Sequence, residues 1–494
     1  MATYRSPGVF NKEEDASLFS RGVSTSVAGM VGVAVKGPIG TPVLVTSWPQ
    51  YQEVFGGFHS NGYLPHAVKA FFDEGGSTLY VVRTCKYSDI TDPDDFDADT
   101  ADADLTEAGD TPDGSMSVAA ISPGAWGNDL QVKIENVDLV DEIFDLLVLD
   151  VDDNVLERYR EVSVDPNADR FVETIINPAS RYIYVTGHVD AAVPEATTTT
   201  LTGGADGLAG IADADFLGDA GGRTGMRAFD TIDTIKLIAI PGVNSDAAHN
   251  AIAAYAESRG TMFAVLGANQ LMTVANVLAH RGELSGPYAG LYWPWLRIMN
   301  PMTGVPMLVP PEGHILGVIA RNDQTAVWAA PAGLDRGRIR TALGVEYDTT
   351  QGERDELYDK AVNVIVNFTG QGVVVWGQRV VTSKPSALDR INVRRLVNFI
   401  KEVARNTTKY LLFEPNDPRT WDAFTRYTDP FLENIKQRRG LIDYHIICDE
   451  TTNTPYYIDN NTMVAKIFVK PTRTAEFIEI QYIVTGAGVD FSEL

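Results

Sequence analysis

Residues 234–267 read TIKLIAIPGVNSDAAHNAIAAYAESRGTMFAVLG, and the reading of this stretch decides the fold class. Thr234 to Ile240 is an apolar run of the kind found in a strand buried on both faces. Asn244 or Ser245 is placed to cap a helix running through Ser258, and Gly260 to end it. MFAVLG then supplies a second buried strand. Strand, helix and strand in succession make an α/β unit, in which the strands lie parallel.

The same grammar extends on both sides. Upstream, a helix around PHAVKAFFDEGG leads into the strand TLYVVRTC. Downstream of Val373, a helix over 389–405 puts Val393, Leu396, Val397, Ile400 and Val403 on one face. A strand YLLFE, a helix 418–438 and a strand DYHIIC follow. Composition interrupts the pattern twice. Residues 89–113 hold eleven acidic residues and no Lys or Arg, and 194–210 is polar and glycine-rich. Between them short β-like segments predict a mostly β domain inserted on a surface loop, where insertions cost little loop entropy. The expected divisions are an arm at 1–25, a middle α/β domain split over 26–90 and 203–375, the β insertion at 91–202, a C-terminal domain at 376–475 and an arm at 476–494. At 494 residues the chain is too long for one core.

The last strands raise the question of partners. In VAKIFVKPTRTAEFIEIQYIVTG (464–486), Ile467 and Val469 alternate with lysines, and Ile478, Ile480, Tyr482 and Val484 alternate with polar residues. Each segment has one apolar face, yet an isolated hairpin is marginal in water. Something must extend this sheet, from this chain or from another.

A net charge of −26 argues against a nucleic-acid binder, which needs clustered Lys and Arg. Two cysteines, Cys85 and Cys448, are too few for a disulfide scaffold and fit a reducing cytoplasm. MATYRSPGVF lacks the apolar centre of a secretion signal, and no run of about 20 apolar residues is present to insert into a membrane. No pair of the seven histidines has metal-ligand spacing, and GGADGLAG lacks the spacing of a phosphate or dinucleotide loop. The acidic run lacks the glycine and terminal glutamate of an EF-hand, and Asp449-Glu450 followed by TTN reads as a side-chain-bonded turn. No cofactor and no catalytic or metal-binding residue is therefore expected. The best enzymatic alternative is a hydrolase-like site after strand 234–240, using Ser245 and Asp246, which helix capping explains equally well. Residues 390–409 invert the chain's charge. Arg390, Arg394, Arg395 and Lys401 suggest a basic face made to meet an acidic surface of a neighbour.

Several strings, in order along the chain, resemble contractile tail sheath proteins. They are YRSPGVFNKEE, VSTSVAGMVGVAVKGPIGTPVLVTSWPQYQEVFGG, AVKAFFDEGGSTLYVVR, LTGGADGL, TGMRAFDTIDTIKLIAIPG, SGPYAGLYWPWLRIMNP, VPPEGHILGVIARND, VWAAPAG, INVRRLVNFI, FEPNDPRTWDAF and CDETTNTP. Two positions depart from the pattern: Glu312 stands where a small polar residue is expected, and MFAVLGAN lacks an Asp after the strand. The resemblance implies an α/β multidomain subunit whose C-terminal core is completed by the N-terminal segment. It implies a non-enzymatic protein that stacks as rings, hexameric in the family, around a tail tube. Its partners would be other copies of itself, the tube protein, and the baseplate and tail terminator proteins. It would be assembled in a host cytoplasm and reside in a virion tail, or alternatively in a bacteriocin or extracellular injection particle. The resemblance also implies strand exchange between subunits. An N-terminal arm carrying Val9, Phe10, Leu18 and Phe19 and a C-terminal arm carrying Ile478, Ile480, Tyr482 and Val484 would pair with neighbours.

Overall fold

The apolar run at 234–240 contributes the strand Leu237–Ala239, three residues that lie fully inside an eight-stranded sheet. The computed structural model describes residues 25–108, 114–187, 193–382, 386–477 and 479. The order across the sheet is Gly372–Val375, Val362–Phe368, Ala289–Trp293, Phe263–Gly267, Leu237–Ala239, Ala28–Gly32, Leu79–Arg83 and Val43–Val45. The six inner strands run parallel. The two outermost strands pair antiparallel.

Two cores cover the two faces, and the inner strands feed them alternately. Met30, Leu237, Ala239, Phe263 and Val265 pack into one core with helices Trp48–Phe55, Leu64–Asp73 and Glu312–Asp323. Val31, Ile238, Ala264 and Leu266 pack into the other with helices Asp246–Arg259, Val274–Glu283 and Gln351–Asp359. A strand buried on both sides has no polar face to show, which is why these strands read as unbroken apolar runs. The first crossover helix begins and ends as its local sequence dictates. The Ser245 hydroxyl accepts from Ala248 N at 3.1 Å, and Gly260 takes the left-handed φ of 70° at the C-cap.

Residues 102–200 form two further antiparallel sheets. One orders Thr198–Thr200, Gln131–Asp138, Ile143–Leu149 and Val155–Ser163; the other orders Asp102–Thr106, Gly114–Ala120 and Ile183–Gly187. Their inner faces share one core of Leu105, Val118, Val132, Ile134, Phe144, Leu146, Val148, Ile183 and Val185. This is a sheet-on-sheet sandwich. One of its joints to the central sheet is the turn at Ser122 and Pro123. Arg83, 1% exposed, donates from Nη1 to Gly37 O and Pro123 O at 2.9 and 2.7 Å, and Gly37 N donates to Ser122 Oγ.

The chain divides after Val403 into two units, later than the boundary expected at 375. The reason is packing: Val380, Val381 and Ile391 are buried against the two faces of the central sheet. The helix expected at 389–405 runs from Ile391 to Thr408. In the second unit, helix Pro418–Gln437 is capped by Asp417, whose side chain accepts from Thr420 N. It packs on a two-stranded antiparallel sheet of Leu441–Ile447 and Lys466–Pro471. Trp421, Phe424 and Cys448 form the centre, with Ile446 and Ile467 against it.

One expectation changes here. YLLFE is not a strand: Lys409–Leu411 is a turn of 3₁₀ helix, and Phe413 has φ 71°. Tyr410, Leu412 and Phe413 face solvent while Leu411 packs against the core of the C-terminal unit, and among the described residues no strand pairs with the segment. The described partner of Lys466–Pro471 is Leu441–Ile447; most of the segment expected to pair with it, 476–484, lies outside the described residues.

Candidate assembly surfaces

Helix Ile391–Thr408 carries the basic residues singled out above, and the structure corrects their assignment. The Arg395 guanidinium forks onto Asp323, Nη1 to Oδ1 at 2.5 Å and Nη2 to Oδ2 at 2.6 Å, with both side chains at most 5% exposed. Arg394 is buried with its guanidinium 4.3 Å from the centre of the Tyr288 ring. Lys401 Nζ donates to the Tyr288 hydroxyl at 2.9 Å. Arg390 pairs with its neighbour Asp389 at 2.9 Å. Glu402, on the same helix, holds Lys236 at 3.1 Å. These charges anchor the helix to its own chain, through a bidentate pair and stacking on an aromatic face. They do not form a free basic face. Asp323 and Tyr288 are distant in sequence, so no local pattern announced them.

Val9, Phe10, Leu18 and Phe19, and likewise Ile478, Ile480, Tyr482 and Val484, lie outside the described residues. What the structure shows beside the latter is the sheet they would adjoin. Ile446 faces Ile467 and Tyr444 faces Val469 on the helix side. There the Tyr444 hydroxyl donates to Asp429 Oδ1 at 2.9 Å. His445 and Phe468 pair on the other side. With two strands, this sheet keeps an outer edge on each, unpaired among the described residues. Around it Tyr410, Leu412, Phe413, Tyr456, Phe468 and Phe477 are 53% to 105% exposed. So much apolar surface and open edge in one small unit is the signature of an interface.

The loop after strand Leu237–Ala239 has the residues of a hydrolase but not the arrangement. Ser245 Oγ contacts Asp213 and caps its helix; among the described residues no histidine stands at its hydroxyl. The two buried histidines nearby form a separate chain. Asp246 meets His280 Nδ1, and His280 Nε2 lies 3.0 Å from His249 Nδ1. Burial, with His280 beside it, pushes the His249 pKa down to about 3, so its ring is neutral at neutral pH. A serine nucleophile needs a base at its hydroxyl, and here the imidazoles tie helix Asp246–Arg259 to helix Val274–Glu283 instead. Among the described residues no group of three His, Cys, Asp or Glu is placed to hold a metal ion.

Sequence reasoning missed the role of Glu312, having marked only its odd identity. It begins its helix fully buried, close against Gly267, where an added Cβ would come within 2.7 Å of its carboxyl. Burial raises its pKa to about 7, while backbone hydrogen bonds at Gly242 and Gly267 oppose the rise.

Three family models match this chain in order. The tail sheath protein Gp18 domain III N-terminal region matches residues 25–84, the phage tail sheath protein central domain 219–380, and the phage tail sheath C-terminal domain 383–485. Together they take in about two thirds of the chain, and the gap between the first two holds the β sandwich. The chain is 41% identical over 187 residues to the tail sheath protein of Vibrio phage KVP40, which is 38% of this chain and 28% of that protein. It therefore spans less than a third of that relative's length. It is 22% identical over 475 residues to the tail sheath protein of Burkholderia phage BcepMu, covering 90% of this chain and 88% of that one. In fold it is similar to the sheath of the extracellular contractile injection system PVC in its contracted state, with TM-score 0.58, 18% identity and 100% of both chains covered. With sheath-domain matches in sequence order along a chain of the same fold, the protein belongs to the phage tail sheath protein family.

Proposed function

We propose that this chain is the structural subunit of a contractile tail sheath, stacking as rings around a tail tube and driving that tube through a target envelope when the lattice contracts. The observation that carries the reading is the C-terminal unit, with two strand edges unpaired among the described residues and its exposed aromatics. Strand addition from neighbouring copies would cover both, since backbone hydrogen bonds give affinity and apolar pockets give register. The arms with Val9, Phe10, Leu18 and Phe19 and with Ile478, Ile480, Tyr482 and Val484 are the proposed donors. Head-to-tail contacts that do not close on themselves propagate as helices. Rigid-body rotation of subunits between two sets of contacts then supplies the work of contraction, without a nucleotide and without an enzymatic step.

The proposed partners are further copies, a tube protein, a baseplate and a tail terminator, in a particle assembled in the host cytoplasm. A non-phage injection particle is the second reading, favoured by the full-length likeness to an extracellular injection sheath. The test is negative-stain microscopy of the purified chain across a concentration series. Rings or helical tubes are expected, and a stable monomer at high concentration overturns the reading. Deleting residues 1–20, or ending the chain at Ala475, should leave a folded protein that forms no tubes; normal tubes from either truncation would exclude strand donation by that arm.

A further inference from the structure

In a chain this acidic, one groove is lined by arginines. The segment 337–339 runs along the outer strand Gly372–Val375, with Ile339 N donating to Val373 O at 2.9 Å and Val375 N to Gly337 O at 2.8 Å. Ile339 turns into the core and Arg338 and Arg340 turn outward to solvent, as alternation along an extended segment requires. With Arg321, Leu334 and Asp335 they line a groove of about 440 Å³. Arg321 is already neutralised: it donates to Glu74 Oε2 at 2.8 Å and to Arg338 O at 2.6 Å. Arg338 and Arg340 have no ion pair among the described residues, and Asp335 is the one acid lining the groove.

The chain also builds the complementary surface. From Asp89 to Asp99 the loop exposes Asp89, Asp92, Asp94, Asp95, Asp97 and Asp99. It is held in shape by its own side chains: Asp89 Oδ1 accepts from Thr91 N at 2.9 Å, and Asp92 Oδ1 accepts from Asp94 N at 3.0 Å. The Ser88 hydroxyl donates to Asp97 Oδ1 at 2.5 Å. The carboxylates of Asp94 and Asp95 are left facing water.

The two surfaces stand at opposite ends of one strand. Glu74, which binds Arg321 and takes Arg340 N on Oε1 at 2.7 Å, lies at the turn entering Leu79–Arg83. The acidic loop follows the end where that strand leaves the sheet. Patches fixed beyond opposite ends of one strand are held apart within one copy; between copies, such patches are suited to a heterologous contact, which propagates when it does not close.

We propose that the arginine groove of one copy receives the Asp89–Asp99 loop of a second copy, giving a head-to-tail contact of the assembled protein. This rests on the sheath reading above and names one of its contacts. The test is charge reversal in the full chain, read by sedimentation velocity and negative-stain microscopy. Arg338→Glu with Arg340→Glu should raise the concentration needed for polymers roughly tenfold, as should Asp94→Lys with Asp95→Lys in a separate variant. An equal mixture of the two variants should assemble at a lower concentration than either alone, because the reversed groove of one copy then meets the lysines placed at 94 and 95 of the next, while the unaltered groove of that copy meets an unaltered acidic loop. Rescue by mixing cannot come from a folding defect. Either variant polymerising alone like wild type, or a mixture no better than its components, overturns the contact while leaving the sheath reading intact. A wild-type chain that forms no polymers overturns both.

Discussion

Arg395 and Asp323 show how much a single buried pair carries. Removing one partner strands the other charge out of water, which costs about 3–5 kcal/mol, whereas replacing both by apolar residues is often close to neutral. Asp323→Ala should therefore lower the urea midpoint sharply, and Asp323→Leu combined with Arg395→Met should recover most of the loss. A double variant no more stable than Asp323→Ala would assign the cost to packing instead of charge. Glu312 makes a prediction in pH. Its pKa is about 7 in the fold against 4.5 in the free side chain. Between these values the folded chain keeps a proton that the unfolded chain has lost, so stability falls as pH rises through this window, by about 1.4 kcal/mol per unit. Glu312→Gln removes that dependence. The variant should match wild type near pH 4.5 and exceed it at pH 8 by up to about 3 kcal/mol in chemical denaturation; equal stability at both pH values would show that the carboxyl is hydrated in the fold. Neither prediction could be drawn from sequence, because burial and partners arise only when distant segments meet.

Helix Asp246–Arg259 is the element most fully legible in the chain, since its start and stop signals are local. Ser245 supplies an oxygen to Ala248 N, and Gly260 adopts a φ of 70° that a side chain disfavours. Ser245→Ala should cost about 1 kcal/mol and Gly260→Ala about 1–2 kcal/mol, both measurable by thermal melting without any change in strand content. Residues 410–414 show where local reading stops. YLLFE has the composition of a strand, but a strand exists only when another pairs with it. The chain leaves Leu412 and Phe413 facing solvent. Helix Ile391–Thr408 lies between these cases. Its apolar face was readable from spacing alone, while the destination of its basic residues was decided by Asp323 and Tyr288.

The β sandwich at 102–200 has its own core and enters and leaves the central unit side by side. Asp102 and Thr202 exchange backbone hydrogen bonds at 2.9 and 3.1 Å. Replacing residues 103–201 by a short glycine linker should therefore leave the central sheet folded. It should also cost about 1–3 kcal/mol, because Arg83 loses Pro123 O and Gly37 N loses Ser122 Oγ. Circular dichroism and a thermal melt of the excised chain check both parts. An unfolded product would mean that the sandwich is needed to complete the central core. The sequence by itself determined the alternation of buried strands with capped helices, the acidic and glycine-rich borders of the insertion, and the family, because apolar periodicity, capping residues and ordered motifs are written within short stretches. Only the tertiary structure decided which charges are buried and paired, that Val380, Val381 and Ile391 pack on the central sheet, and that an arginine groove and an acidic loop stand at opposite ends of one strand. Those outcomes depend on desolvation and on which distant segments share a surface, and no window of neighbouring residues contains that information.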